Sequence, residues 1–176
     1  MLEALRNAWK IPELRRRITF TCLMFLVFRI GSHIPVPGID PRVLQDVFNQ
    51  GNLLGFLDLF SGGALKRVSI FALSVTPYIT SSIVIQLLTI VIPSWEEMAK
   101  EGEEGRKKLA QYTRYATVIL ALIQALGMVA WMKSAIINPN WVTYTVIVLA
   151  LTAGTAFLMW LGEEITDKGI GNGISL

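Results

Sequence analysis

Ser61-Gly62-Gly63-Ala64-Leu65 opens a tract that runs apolar through Ile70-Phe71-Ala72-Leu73, breaks at Ser74-Val75-Thr76-Pro77, and continues without a charge to Ile92-Pro93. It has the hydropathy of a membrane segment but cannot be one helix. Lipid offers no partner to a free N–H or C=O, so irregular backbone at membrane depth persists only where protein buries it or water reaches it. A broken crossing of this kind is expected to be the functional centre of the chain.

The composition supports a membrane reading. The 176 residues are 53% hydrophobic and 16% charged, with a mean hydropathy of +0.52. Soluble domains are about a quarter charged. The apolar residues are also blocked: residues 18–28, 69–95, 115–132 and 134–162 carry no charge. A helix needs about 20 apolar residues to cross a bilayer. Four spans are expected in an all-α membrane protein, at 18–36, 76–92, 114–132 and 142–162. The first requires Arg29 to reach toward one face. Residues 1–17 read as an amphipathic segment on the membrane surface, with Leu2, Leu5, Trp9 and Ile11 among polar neighbours. Arg15-Arg16-Arg17 before an apolar run imitates a signal peptide, but no small-x-small cleavage site follows and further spans do, so the segment is expected to be retained.

Basic residues favour the cytoplasmic side of a span. With the N-terminus inside, the cytoplasmic face collects Arg6, Lys10, Arg15, Arg16, Arg17, Lys100, Arg106, Lys107, Lys108, Arg114 and Lys168. The outside keeps Arg42, Lys66, Arg67 and Lys133. This places 37–74 and 133–141 outside, and 93–113 and 163–176 inside. The stretch 95–112 also carries five glutamates, the pattern of a solvated turn or helix face, or of an edge for a cytosolic partner. Cys22 is a lone thiol and reads as an ordinary side chain of the first span. His33, the single histidine, has no second ligand at metal spacing.

In the second span Pro77 suits a first helical turn, Thr76 reads as its N-cap, and Pro93 stops its far end. A helix of about sixteen residues rises roughly 24 Å, short of the hydrocarbon core. The preceding piece, from about Gly55 to Leu73, must then fill the remaining depth. Val75, Ile79, Ser82, Gln86 and Thr89 recur at i, i+4, i+7, i+11 and i+14, a single narrow face. That face is apolar at the outer end and polar inward. It fits a wet funnel closing on an apolar neck, and equally two helices joined by Ser and Gln.

The chain resembles the SecY family along its entire length. The resemblance is carried by Arg29-Ile30-Gly31, Ile34-Pro35-Val36-Pro37-Gly38-Ile39-Asp40, Phe60-Ser61-Gly62-Gly63-Ala64-Leu65, Ile70-Phe71-Ala72-Leu73 with Pro77-Tyr78-Ile79, Ile85-Gln86-Leu87-Leu88-Thr89, Gln111-Tyr112-Thr113-Arg114-Tyr115, and Met159-Trp160-Leu161-Gly162-Glu163 running into Gly169-Ile170-Gly171-Asn172-Gly173-Ile174-Ser175. The last tract could be scanned as a phosphate loop, but it lacks a preceding strand and a Lys.

The resemblance implies a helical bundle around an hourglass pore, of which this sequence supplies the N-terminal half, four of ten transmembrane helices plus a re-entrant plug, as in a fragment or split chain. It assigns Val75 and Ile79 to the apolar pore ring, and Leu57, Phe60, Ser61, Gly62, Gly63 and Leu65 to the plug. It assigns Thr80 and Gln124 to a polar cluster at a lateral gate. Ser82, Gln86 and Thr89 fall on the cytoplasmic funnel. The implied function is a conduit that passes unfolded secretory proteins and releases membrane proteins sideways into the cytoplasmic membrane of a bacterium. It needs no cofactor and performs no covalent chemistry. The implied partners are the small subunits SecE and SecG, the motor ATPase SecA, the ribosome, the remaining helices and lipid.

Two other classes compete with that reading. Half of a small-solute transporter would also use broken helices, but it should carry an ionisable coupling residue at depth, and spans two to four hold none. An intramembrane protease needs a buried nucleophile with a base or a carboxylate pair; no His, Lys or Asp accompanies the Ser and Thr residues there. If Phe60 sits in a mobile plug, a cysteine placed there should cross-link to a partner in the resting channel and lose that contact when a substrate occupies the pore. Equal yields in both states would identify a static loop.

Overall fold

The computed structural model describes residues 11–40, 43 and 68–176. The surface segment 1–10 and the plug residues Leu57, Phe60, Ser61, Gly62, Gly63 and Leu65 lie outside the described residues. Five α-helices form the described part: α1 Pro12–Gly31, α2 Thr76–Val91, α3 Pro93–Lys100, α4 Glu103–Trp131 and α5 Trp141–Lys168. A single 3-10 turn, Lys133–Ala135, joins α4 to α5. Both α4 and α5 are long and apolar enough to cross a membrane, while α2 and α3 pass that test only as a pair bent by 104°. No window of α1 qualifies, because Arg15, Arg16, Arg17 and Arg29 all fall within its 20 residues.

Several helix bounds differ from the sequence reading. The first span was expected over 18–36, but α1 begins at Pro12, with Pro in the first turn and Glu13 beside the positive helix end. It ends at Gly31, where the Ser32 hydroxyl and His33 Nδ1 both donate to the Arg29 carbonyl at 2.8 Å. The chain then leaves the helix at Ile34-Pro35-Val36-Pro37, where proline disfavours the α conformation of the residue before it. His33 is thus used locally, as a helix terminator.

The segment 93–113 was expected to be a loop and is helical in α3 and the first turns of α4. The mixed charges support helix through i,i+4 pairing, as in Lys100 Nζ to Glu96 at 2.6 Å. That bond, with the Lys100 charge, holds the Glu96 carboxyl below its usual range. Trp95 stacks on Tyr112 at 5.3 Å between centroids, folding α3 back on α4. Likewise α5 continues past the expected end at 162 to Lys168, which pairs with Glu164 at 2.6 Å. Thr76 is not the N-cap of α2: Val75 occupies that position, without a side-chain cap. Its carbonyl accepts from the Tyr78 and Ile79 amides, and Pro77 removes one of the donors a cap would serve.

α2 lies along α4, α4 along α5, and α1 along α5. On α4, Thr113, Thr117, Ala121 and Ala125 recur every fourth residue and are all buried. Small side chains in this register let backbones approach closely inside a membrane. α2 meets α4 with Pro77, Ser81 and Ile85.

The broken tract is buried against this frame. Val68, Ser69, Phe71 and Ala72 are at most 6% exposed, although their backbone is turns apart from one isolated β-bridge, Ser69 to Pro35. Val68 and Ser74 take positive φ of 46° and 55°, which a β-branched residue such as Val68 adopts only when its surroundings impose it. The segment Ile34–Asp40 satisfies the tract's polar groups. The Val36 amide donates to the Val68 carbonyl at 2.9 Å and the Ile70 amide to the Ile34 carbonyl at 3.0 Å. The other end of that segment bonds the α4–α5 turn, through Asp40 N–H to Ala135 O at 2.8 Å and Ile137 N–H to Gly38 O at 3.1 Å. Val36, Ile39, Val68, Ala72, Val129, Met132, Ile136, Ile147 and Leu151 close a core beneath these bonds.

Two glycines bring the tract to membrane depth. Gly154 is the fourteenth of the 28 residues of α5, and a Cβ there would strike the Ile70 carbonyl oxygen. A Cβ on Gly31 would strike the Phe71 ring, which stacks between Phe28 at 5.8 Å and Phe157 at 5.9 Å. Gly154→Val should therefore overpack the site and cost about 1–3 kcal/mol, read as a lowered Tm of the purified protein. Gly127→Ala is the control. Nothing lies within 4 Å of a Cβ at Gly127, and losing a mid-helix glycine should leave Tm unchanged or higher. Equal effects of the two changes would refute the close approach.

Candidate functional site

The buried face of α2 is Pro77, Ser81 and Ile85. The stripe Val75, Ile79, Ser82, Gln86 and Thr89 sits about a third of a turn away and is half-buried or exposed. It is therefore not glue between described helices. A third face, with Leu87 and Ile90, is exposed and mainly apolar, as a lipid-contacting face should be. The polar stripe is separate from both.

The first part of the stripe, Val75, Ile79 and Ser82, lines two adjoining hollows. Val75 faces one of about 550 Å³ with Phe25, Phe28, Leu158 and Leu161. Ile79 and Ser82 face another of about 560 Å³ with Tyr78, Arg114, Glu163 and Asn172. Ile174 and Ser175 line both. The first is walled by aromatic and aliphatic groups and the second by charged and amide groups, so the concave surface changes character along α2.

Arg114 of α4 and Glu163 of α5 form an ion pair across the polar hollow, Nε to Oε1 at 2.9 Å. Glu163 is 23% exposed and Arg114 50%. A pair this accessible contributes little stability, but it fixes the mutual position of two helix ends. The floor is the glycine-rich tract after α5. Thr21 Oγ1 accepts from the Ile170 amide at 3.2 Å, Thr166 Oγ1 from the Gly173 amide at 2.9 Å, and Asn172 Oδ1 from the Ile174 amide at 3.0 Å. Side chains take up these amides, so no nest is left open for an anion. Arg17 donates to the Gly169 carbonyl at 3.4 Å, which adds a tie from α1.

The other expected residues are placed less tightly. Thr80 is exposed and donates to its own Thr76 carbonyl at 3.0 Å. Gln124 is half-buried and makes no hydrogen bond among the described residues. The two are not hydrogen-bonded to each other. The Thr89 hydroxyl turns back to the Gln86 carbonyl at 2.6 Å. Sequence reasoning missed Arg114 paired with Glu163, 49 residues apart, and the row Thr113, Thr117, Ala121 and Ala125. The row was legible as a small residue every fourth position; the ion pair had no local signal.

A family model described as SecY matches residues 69–176. The chain is 55% identical to the protein translocase subunit SecY of Halalkalibacterium halodurans across 100% of its own length and 42% of that protein. To the protein translocase subunit SecY of Escherichia coli strain K12 it is 51% identical, over 94% of this chain and 39% of that one. The chain thus spans about two fifths of the length of these relatives. Among solved structures it is similar to Sec61 in the canine ribosome-channel complex from the endoplasmic reticulum, with a TM-score of 0.65 at 18% identity over 98% of this chain and 39% of that one. It is also similar to a SecY structure described for a plug domain that stabilises the closed state, with a TM-score of 0.64 at 19% identity, covering 98% of this chain and 38% of that one. The described residues share the helical fold of those channels. With the family model covering the broken crossing and everything after it, this chain belongs to the SecY family.

Proposed function

We propose that this chain forms one wall of a protein-conducting channel, as the pore-forming subunit of a translocase in the cytoplasmic membrane of a bacterium. It passes unfolded secretory chains across the membrane and lets apolar segments leave sideways into lipid. The observation that carries this reading is the concave face of α2. Val75 and Ile79 line hollows at its start and Ser82 and Ile83 continue one of them, while the exposed apolar residues Leu87 and Ile90 line neither. An apolar collar excludes water and ions, and a hydrated wall beyond it lets an extended polypeptide slide without finding partners.

In this reading Val75 and Ile79 contribute to the pore ring, and Ser82, Gln86 and Thr89 to the funnel on the cytoplasmic side. Thr80 and Gln124 belong to the gate toward lipid, and the segment around Phe60 and Gly62-Gly63 is the plug. The bias of basic residues puts the N-terminus in the cytoplasm. The subunit is a passive conduit, and the driving energy comes from partners: SecA or the ribosome at the cytoplasmic face, with SecE and SecG in the membrane. The relatives named as translocase subunits and the structure of a ribosome-bound channel support this context. The remaining helices of such a channel would complete the ring.

Ile79→Gly or Ile79→Asp, introduced into the complete channel, should open the collar, raise resting ion conductance in planar bilayers, and admit substrates with defective signal sequences. Leu87→Gly, on the exposed apolar face, should leave conductance at the resting level. Identical resting conductance in wild-type and Ile79 variants would remove Ile79 from the ring.

A further inference from the structure

A third hollow, of about 460 Å³, lies on the outer surface between α4 and α5, away from the concave face. Its walls are two matched helical stripes, Leu122 and Leu126 from α4 and Tyr144 and Leu149 from α5. The single charge on its lining is Lys133, in the turn that joins the two helices. The Lys133 ammonium makes no ion pair or hydrogen bond among the described residues. Trp141, 84% exposed, stands on the same rim.

The dimensions suit one leaflet. Leu122 and Lys133 are eleven positions apart, roughly 16 Å at helical rise, about half of the ~30 Å hydrocarbon core. The cation and the two amphipathic rings mark the end where headgroups lie, and the opposite end is aliphatic. A transmembrane helix from another chain would need a groove running the whole membrane depth. This one stops half-way and carries a charge at one end only.

We propose that this groove holds one anionic phospholipid, its phosphate on the Lys133 ammonium and one acyl chain between Leu126 and Leu149. A phosphate–ammonium contact is charge-assisted, and Trp141 and Tyr144 shield it at the interface. The bound lipid would seal the α4–α5 seam on the side opposite the concave wall. This assignment is independent of the channel reading and needs only that α4 and α5 cross the membrane.

Native mass spectrometry of the full-length protein in its complex, titrated with dioleoyl phosphatidylglycerol or dioleoyl phosphatidylcholine, tests it. The wild-type protein should retain phosphatidylglycerol in preference to phosphatidylcholine. Lys133→Gln should weaken phosphatidylglycerol binding by about fivefold, the weight of one basic residue at an anionic surface, and abolish the preference. Lys133→Arg should restore it. Leu126→Trp, at a position already 53% exposed, should fill the groove and reduce retention of both lipids. Equal retention of both lipids by all four proteins would overturn the proposal, as would loss of a co-purifying polypeptide rather than of lipid in Leu126→Trp.

Discussion

Every backbone amide and carbonyl that enters a membrane needs a partner from the protein, and the tract from Val68 to Val75 is where this chain meets that demand without a helix. Its partners come from the segment Ile34–Asp40 and from the tract's own turns, as in Ala72 N–H to Ser69 O and Ser74 N–H to Phe71 O. That segment bonds the tract through Val36 and Ile70 and the α4–α5 turn through Asp40 and Ile137. A short irregular strip thus clamps two other parts of the chain together. Because its polar groups are spent on one another, the apolar side chains of Val36, Val68, Ile136 and Ile147 can close beneath it. Gly154 and Gly31 let the tract sink between α5 and α1 instead of lying over them.

The position of α2 follows from that clamp. The helix starts at Thr76, immediately after a tract whose Ile70 carbonyl reaches the midpoint of α5. The tract fills the depth beside the first half of α5, so α2 need not be a full-length span. Its contact with α4 uses Ser81 against a row of Thr and Ala. Ser81 has a buried hydroxyl without a hydrogen-bond partner among the described residues, so close packing rather than polar pairing holds this interface. Ser82, Gln86 and Thr89 are left on a face away from that contact, and Ser82 lines one of the hollows. One helix thus serves three environments, and the registers of its three faces keep them apart.

Fold class was legible in the sequence because hydropathy and punctuation are local. Uncharged blocks, Pro77 and Pro93, and the stripe of Val75, Ile79, Ser82, Gln86 and Thr89 depend only on composition and helical period. Helix ends were less legible. The charged segments 93–113 and 163–176 were read as loops, yet i,i+4 pairs such as Glu96–Lys100 and Glu164–Lys168 carry helix beyond the apolar blocks. Hydropathy reports where lipid ends, and the backbone is free to stay helical past that point.

The sequence alone determined that the chain crosses a membrane, where the crossing breaks, and which residues share the face that follows. Those properties arise from residue type and spacing. Only the tertiary structure decided that this face lines a hollow rather than a helix contact, that Arg114 meets Glu163, that Thr21 and Thr166 hold the glycine-rich tract, and that Gly154 admits Ile70. Each joins residues distant in the chain, and which of the available partners meet is selected by the packing of whole helices. No local pattern encodes that choice.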